Sequence, residues 1–170
     1  MLAESLIRTI PDFPQPGIMF RDITPVLADP RAFKEIISAM ADYAEDRKAD
    51  LIVGIESRGF VFGAPVAVEC RLGMAPVRKV GKLPFQTIRE EYTLEYGSNA
   101  VEMHADAVQP GQRVLIVDDL LATGGTARAA AKLVTKLGGE VVGLSFLIEL
   151  AALKGRALLE GYDVQALLAY

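Results

Sequence analysis

Several short apolar runs recur along the chain, and each ends in an abrupt change of character: DLIVGIES, MAPVRK, RVLIVDD, EVVGLSFLIE and VQALLAY. They are continuous rather than alternating, so they fit strands covered on both faces, and such strands are typically parallel. Between them lie segments with helical character. GFVFGAPVAVECRL is apolar on most sides. TARAAAKLVTKL sets Ala127, Ala130, Leu133, Val134 and Leu137 on one face, and Gly138 and Gly139 end it. ALKGRALLEG reads as a short helix before the last run. Strands alternating with helices predict an α/β fold, a mostly parallel twisted sheet with helices on both faces. Ligands of such sheets bind beyond the carboxyl ends of the strands, so the polar endings of the runs become the candidate site.

The rest of the chain fits around this pattern. ESLIRTI reads as two helical turns before Pro11. The stretch PDFPQPGIMFRDITPVLADP holds five prolines and no helical period, so it reads as an irregular arm whose apolar residues lie against something. Asp29 is an N-cap with Pro30 at the first helical position, and the helix runs to about Arg47 with Phe33, Ile36, Ile37, Met40 and Tyr43 on one face. Residues 81–99 are charge-rich, bounded by Gly81 and Gly97, and weakly alternating. They read as a hairpin or flap.

Composition narrows the function. The 170 residues fit a single domain, residues 1–170, with a real core. A net charge of −4, no tryptophan and no basic helix argue against a nucleic-acid partner. No apolar run approaches a membrane span, and MLAESLIRTI is too short and polar for a signal peptide. The single cysteine, Cys70, suits a reducing cytoplasm and reads as a packing residue. His104 reads as a strand-end or loop residue without a catalytic role, and no His/Cys cluster suggests a protein-held metal.

Three polar endings carry chemistry. After Asp118 and Asp119 the chain runs through Ala122, Thr123, Gly124, Gly125 and Thr126 into a helix. Small residues at a helix N-terminus expose backbone donors that suit a phosphate. The loop lacks the lysine of nucleoside-triphosphate loops and the spacing of dinucleotide loops, so it suits a phosphate monoester. The aspartates call for a pair of sugar hydroxyls, a magnesium-bound water shell or a developing cation; capping of the next turn is the plain alternative. Arg58, beside Gly59 in GIESRGFVFG, has the donor fork for an anion, or makes a surface ion pair. Arg78, Lys79 and Lys82 form a local cation cluster, or a solvated charge run. Taken together, the endings describe a ribose with a 5-phosphate and a more highly charged anion.

VLIVDDLLATGGT, residues 114–126, resembles the phosphoribosyl pyrophosphate (PRPP) motif of type I phosphoribosyltransferases. IPDFPQPGIMFRDITPVLADP, GIESRGFVFG, RKVGKLP, YTLEYGSNAVEMH and ELAALKGR resemble, in order, the adenine branch of that family. The resemblance implies transfer of the 5-phosphoribosyl group from PRPP to N9 of adenine, giving AMP and pyrophosphate through an oxocarbenium-like transition state. Another nucleobase, or a PRPP-sensing regulator, is the alternative.

Residue by residue, the resemblance assigns the ribose hydroxyls to Asp118 and Asp119 and the 5-phosphate to Ala122–Thr126. It assigns the pyrophosphate to Glu56, Ser57 and Arg58, with a non-proline cis peptide, and to Arg78, Lys79 and Lys82. The adenine site, a hood built by the arm at residues 1–29, falls to Met19, Phe20 and Arg21. The flap at 81–99 carries the catalytic Glu95 and its neighbour Tyr96. Glu56 departs from the aspartate of many relatives. Magnesium, held mainly by PRPP oxygens and water, is the implied cofactor, and a homodimer the implied assembly.

Overall fold

The computed structural model describes residues 1–94 and 97–170, which divide into two compact units, Met1–Ala39 and Met40–Tyr170. The first unit opens with α1 (Leu2–Leu6), followed by β1 (Arg8–Ile10), β2 (Phe20–Asp22) and α2 (Thr24–Ala28). α3 (Pro30–Asp46) runs through the division. β1 and β2 pair antiparallel, Arg8 opposite Asp22 and Ile10 opposite Phe20.

This unit departs from the sequence pattern in two places. The opening helix stops at Leu6, because the β-branched Ile7, Thr9 and Ile10 favour an extended chain and find a partner strand. The proline-rich arm is not irregular throughout. Its strand β2 draws its ladder bonds from β1, twelve residues upstream at the Thr9–Arg21 pair, which no local window reveals. Pro25 suits the first turn of α2, where Asp22 accepts the Thr24 N–H at 2.9 Å. Asp29 caps α3 as expected, taking the N–H groups of Arg31 and Ala32 at 2.9 Å each.

The second unit contains a seven-stranded sheet in the order β5-β6-β4-β3-β7-β8-β9. Its strands are β3 (Leu51–Ile55), β4 (Gly73–Lys79), β5 (Thr87–Leu94), β6 (Gly97–His104), β7 (Arg113–Leu121), β8 (Glu140–Glu149) and β9 (Val164–Ala169). β4, β3, β7, β8 and β9 are parallel, as the apolar runs predict. Helices α4 (Arg58–Glu69) and α5 (Gly125–Lys136) cover opposite faces. Val53 and Ile55 of β3 join the core cluster of Ala127, Ala130 and Leu133 from α5. Gly54, of opposite parity, turns toward Phe60 of α4.

The charge-rich segment at 81–99, expected as a protruding hairpin or flap, holds β5 and the start of β6, an antiparallel pair that runs on to His104 and is rooted in the sheet. β6 pairs antiparallel with β4 through Arg78–Glu102 and Lys79–Val101. His104 ends β6, half-buried. The expected helix at ALKGRALLEG is instead two 3-10 turns, Ala151–Leu153 and Gly155–Leu159, because Lys154 between them takes the left-handed conformation. Cys70 caps the end of α4; its thiol, pushed up in pKa by burial, faces the Ala41 carbonyl at 3.7 Å.

Candidate active site

The carboxyl ends of β3, β4 and β7 open onto one polar cleft of about 510 Å³. Its lining includes Glu56, Ser57, Arg58, Lys79, Lys82, Asp118, Asp119 and Thr126. Residues separated by more than sixty positions in sequence are brought together because their strands are hydrogen-bonded neighbours. A smaller cup of about 80 Å³ adjoins it, lined by Ala122, Thr123, Gly124, Gly125 and Thr126 and sharing Asp118, Leu120 and Thr126 with the cleft.

β7 continues two residues past the aspartates, to Leu121, so Asp118 and Asp119 lie within the strand rather than at its end. The loop to α5 is therefore only Ala122, Thr123 and Gly124. Gly124 has φ 86°, and a side chain on it would stand 2.5 Å from the Gly155 carbonyl oxygen. Only glycine fits both demands. The residues at the start of α5, whose N–H groups have no partner within the helix, line the cup, the arrangement that receives a phosphate.

Arg58 ion-pairs with Asp119, which is 7% exposed. Gly59 makes this reach possible: a side chain there would meet the Val117 carbonyl at 2.8 Å and the Asp118 carboxylate at 2.9 Å. Asp118 accepts the Asp119 N–H at 2.8 Å. Burial, and then the charge of Asp119, raise the Asp118 pKa well above the ordinary carboxylate range.

The Glu56–Ser57 peptide is cis, as the resemblance implies. Glu56 accepts Arg78 Nη2 and the Lys79 N–H, both at 2.9 Å. The Arg78 hydrogen bond, against the opposing effect of burial, lowers the Glu56 pKa. Arg78 is thus turned to Glu56 and to the Lys82 carbonyl, 3.1 Å away, whereas Lys79 and Lys82 line the cleft.

Met19, Phe20 and Arg21 belong to the first unit. Met19 is 53% exposed, Phe20 meets Phe13 edge-on with ring centroids 5.1 Å apart, and Arg21 donates to the Thr9 hydroxyl. Glu95 and Tyr96 lie outside the described residues.

Two supports of the site lie in stretches to which the sequence alone gives no role. Gly155 packs so closely on the loop before α5 that a side chain would stand 2.2 Å from the Ala122 carbonyl oxygen. Its turn is held by Arg156, which donates to Glu149 at 2.8 Å and to the Val164 carbonyl at 2.8 Å. The polar ending of EVVGLSFLIE was the available signal. The other is Glu102, a charge inside the apolar VEMH.

A phosphate cup, a carboxylate pair and a cation-lined cleft on a parallel sheet define a protein that handles a phosphorylated sugar. The chain belongs to the phosphoribosyltransferase family: the family model described as phosphoribosyl transferase domain matches residues 22–166. It is 57% identical over 167 residues to the adenine phosphoribosyltransferase of Thermotoga neapolitana, covering 98% of each chain. The crystal structure of adenine phosphoribosyltransferase from Thermoanaerobacter pseudethanolicus superposes with a TM-score of 0.96 at 55% identity, covering 99% of this chain and 98% of that one. The Saccharomyces cerevisiae enzyme, solved in complex with an imino-altritol bisphosphate and adenine, gives a TM-score of 0.93 at 40% identity, covering 98% and 96%.

Proposed function

We infer that this chain transfers the 5-phosphoribosyl group of PRPP to N9 of adenine, releasing pyrophosphate and forming AMP. The observation that carries the reading is the phosphate cup opening through Asp118 into the cation-lined cleft. It agrees with the activity for which the similar proteins are named.

In this reading the 5-phosphate occupies the cup, held by the N–H groups at the start of α5 and by the hydroxyls of Thr123 and Thr126. The ribose hydroxyls meet Asp118 and Asp119. The pyrophosphate lies among Ser57, Arg58, Lys79 and Lys82, with Arg78 and Glu56 behind them. The C1–O bond to pyrophosphate loosens first, and the cations take up the charge that develops on the leaving group. The aspartates, fixed beside the sugar, stabilise the positive charge developing at C1. N9 of adenine then bonds to C1 and its proton leaves, with Glu95 as the group that takes the proton or orients the base. Met19, Phe20 and Arg21 form the base site. The hairpin that carries Glu95 and Tyr96 keeps water from the cation-like carbon.

Magnesium fits this site. The carboxylates of Asp118 and Asp119 are hard oxygen donors of the kind that it takes through its water shell. When bound, it neutralises pyrophosphate charge. No helix among the described residues is long and apolar enough to cross a membrane. We propose a cytoplasmic homodimer serving purine salvage.

The deciding experiment is competition among adenine, hypoxanthine, xanthine and a pyrimidine at fixed PRPP. AMP as the dominant product supports the reading. Preference for another base overturns its adenine half, and PRPP binding without turnover of any base overturns its enzymatic half.

A further inference from the structure

Glu102 lies in the middle of β6, flanked by the buried Val101 and Met103, and is itself only 1% exposed. A carboxylate so placed must be met by donors. Its Oε1 accepts the backbone N–H groups of Gly81, Lys82 and Leu83 at 2.9, 3.1 and 3.1 Å. Its Oε2 accepts the Thr87 hydroxyl at 3.2 Å and stands 3.6 Å from Arg89 Nε. Three successive amides converging on one point make an anion nest. Here the protein's own carboxylate fills it. Burial pushes the Glu102 pKa up, but the Leu83, Thr87, Gly81 and Lys82 donors outweigh it and hold the group below the ordinary range.

The middle amide of the nest belongs to Lys82, which lines the cleft. The carbonyl of the same residue accepts Arg78 Nη1 at 3.1 Å, and Arg78 in turn holds Glu56. The Lys82 backbone is therefore gripped from both sides, by Glu102 at its N–H and by Arg78 at its C=O. Gly81, with φ 86°, supplies the turn. In register, Glu102 stands opposite Arg78 on β4 and Arg89 on β5. One side chain ties the cation loop to the root of the hairpin.

We propose that Glu102 is a positioning residue for the pyrophosphate end of the co-substrate: by fixing the 81–83 backbone it holds the Lys82 ammonium in the cleft. This rests on the reading of the cleft as a PRPP site. Glu102 acts through Lys82.

Glu102→Gln tests it. The amide keeps an oxygen for the nest but removes the charge that makes the bonds strong. The KM for PRPP and the Kd for inorganic pyrophosphate by calorimetry are expected to rise about tenfold, with the KM for adenine within about twofold of the parent. In a Lys82→Ala background the same change is expected to add little, because both act at one point. Unchanged pyrophosphate binding, equal loss for both substrates, or full additivity with Lys82→Ala overturns the proposal. Amide exchange on the unmutated protein gives a second reading that needs no variant to fold. Gly81, Lys82 and Leu83 are expected to be protected together, and exchange at free-chain rates overturns the nest. Failure of the parent protein to bind PRPP or pyrophosphate would instead overturn the site reading, and this inference with it. Tight binding by the parent and an equal Glu102→Gln variant would overturn this inference alone.

Discussion

Arg58, at the start of α4, ion-pairs with Asp119 of β7, so the guanidinium attends one of two adjacent carboxylates directly and the other at a distance. Asp118, next to it in the strand, carries the cost: its burial and the neighbouring Asp119 charge both favour its neutral form. The unfolded chain has no such preference, so the site costs stability as pH rises toward neutral. A sugar hydroxyl or a hydrated cation would relieve it, which makes the strand a poised ligand site.

Asp118→Asn should therefore raise stability while lowering activity. A raised folded pKa means that the stability contribution is present below the unfolded value and lost as pH rises through the folded one. The neutral amide escapes that loss, so its advantage should be absent in acid and grow toward neutral pH. A gain of about 1 kcal/mol corresponds to about 2–4 °C in Tm for a chain of this size. Turnover should fall about 100-fold with the lost charge stabilisation. Calorimetric melting and AMP formation measure the two effects; a Tm that falls at neutral pH contradicts the account.

Gly124→Ala tests the cup. The methyl would enter at φ 86° against the Gly155 carbonyl 2.5 Å away, so the loop must shift. Destabilisation of about 1–3 kcal/mol and a rise in the KM for PRPP of about tenfold or more are expected. The KM for adenine should stay near the parent's. Thermal melts and initial-rate kinetics with each substrate varied in turn would check this.

The sheet was legible because its evidence is local: each parallel strand is a continuous apolar run, and the polar endings of those runs and the residues just after them are Asp118, Asp119, Arg58, Lys79 and Lys82. Pairing partners were not legible. β2 exists because of β1, and Glu102 is satisfied by amides some twenty residues upstream, Gly81 and Lys82 among them. Gly155 shows the same limit, since its reason is the carbonyl of Ala122. Arg78 read as one more cation of the cleft, but a strand neighbour takes it up: β3 runs beside β4 and brings Glu56 to it.

Acid should loosen the cleft before the core. Glu56, Glu90 and Glu102 all have depressed pKa values, so the stability they contribute is present above the ordinary value of 4.5 and is lost as pH falls below it through their folded values. Asp118 has the opposite sign over a higher range. The parent Tm should thus rise slightly as pH is lowered from neutral, then fall below 4.5. Asp118→Asn should remove the rise and keep the fall. Melting curves at a series of pH values measure both limbs, and amide exchange should show Gly81, Lys82 and Leu83 opening at the acid end.

The hairpin is tied to the helix that starts at the phosphate cup. Glu90 of β5 accepts Lys132 Nζ at 2.7 Å and also pairs with Lys136, whose ammonium reaches the Arg89 carbonyl at 3.3 Å. Glu90 is largely covered and both lysines are about half exposed, so Glu90→Gln should cost only about 0.5–1 kcal/mol in stability. Its effect on the reaction should be larger than its effect on the fold. On the proposed reading, in which the hairpin shields the activated carbon, loosening it from α5 should drop turnover about 3–10-fold and raise PRPP hydrolysis in the absence of adenine. PRPP affinity should change little, because the cup and the cations are untouched. Pyrophosphate release measured with and without adenine separates the two fluxes; a parallel fall in both would mean that the Glu90 clamp serves stability alone.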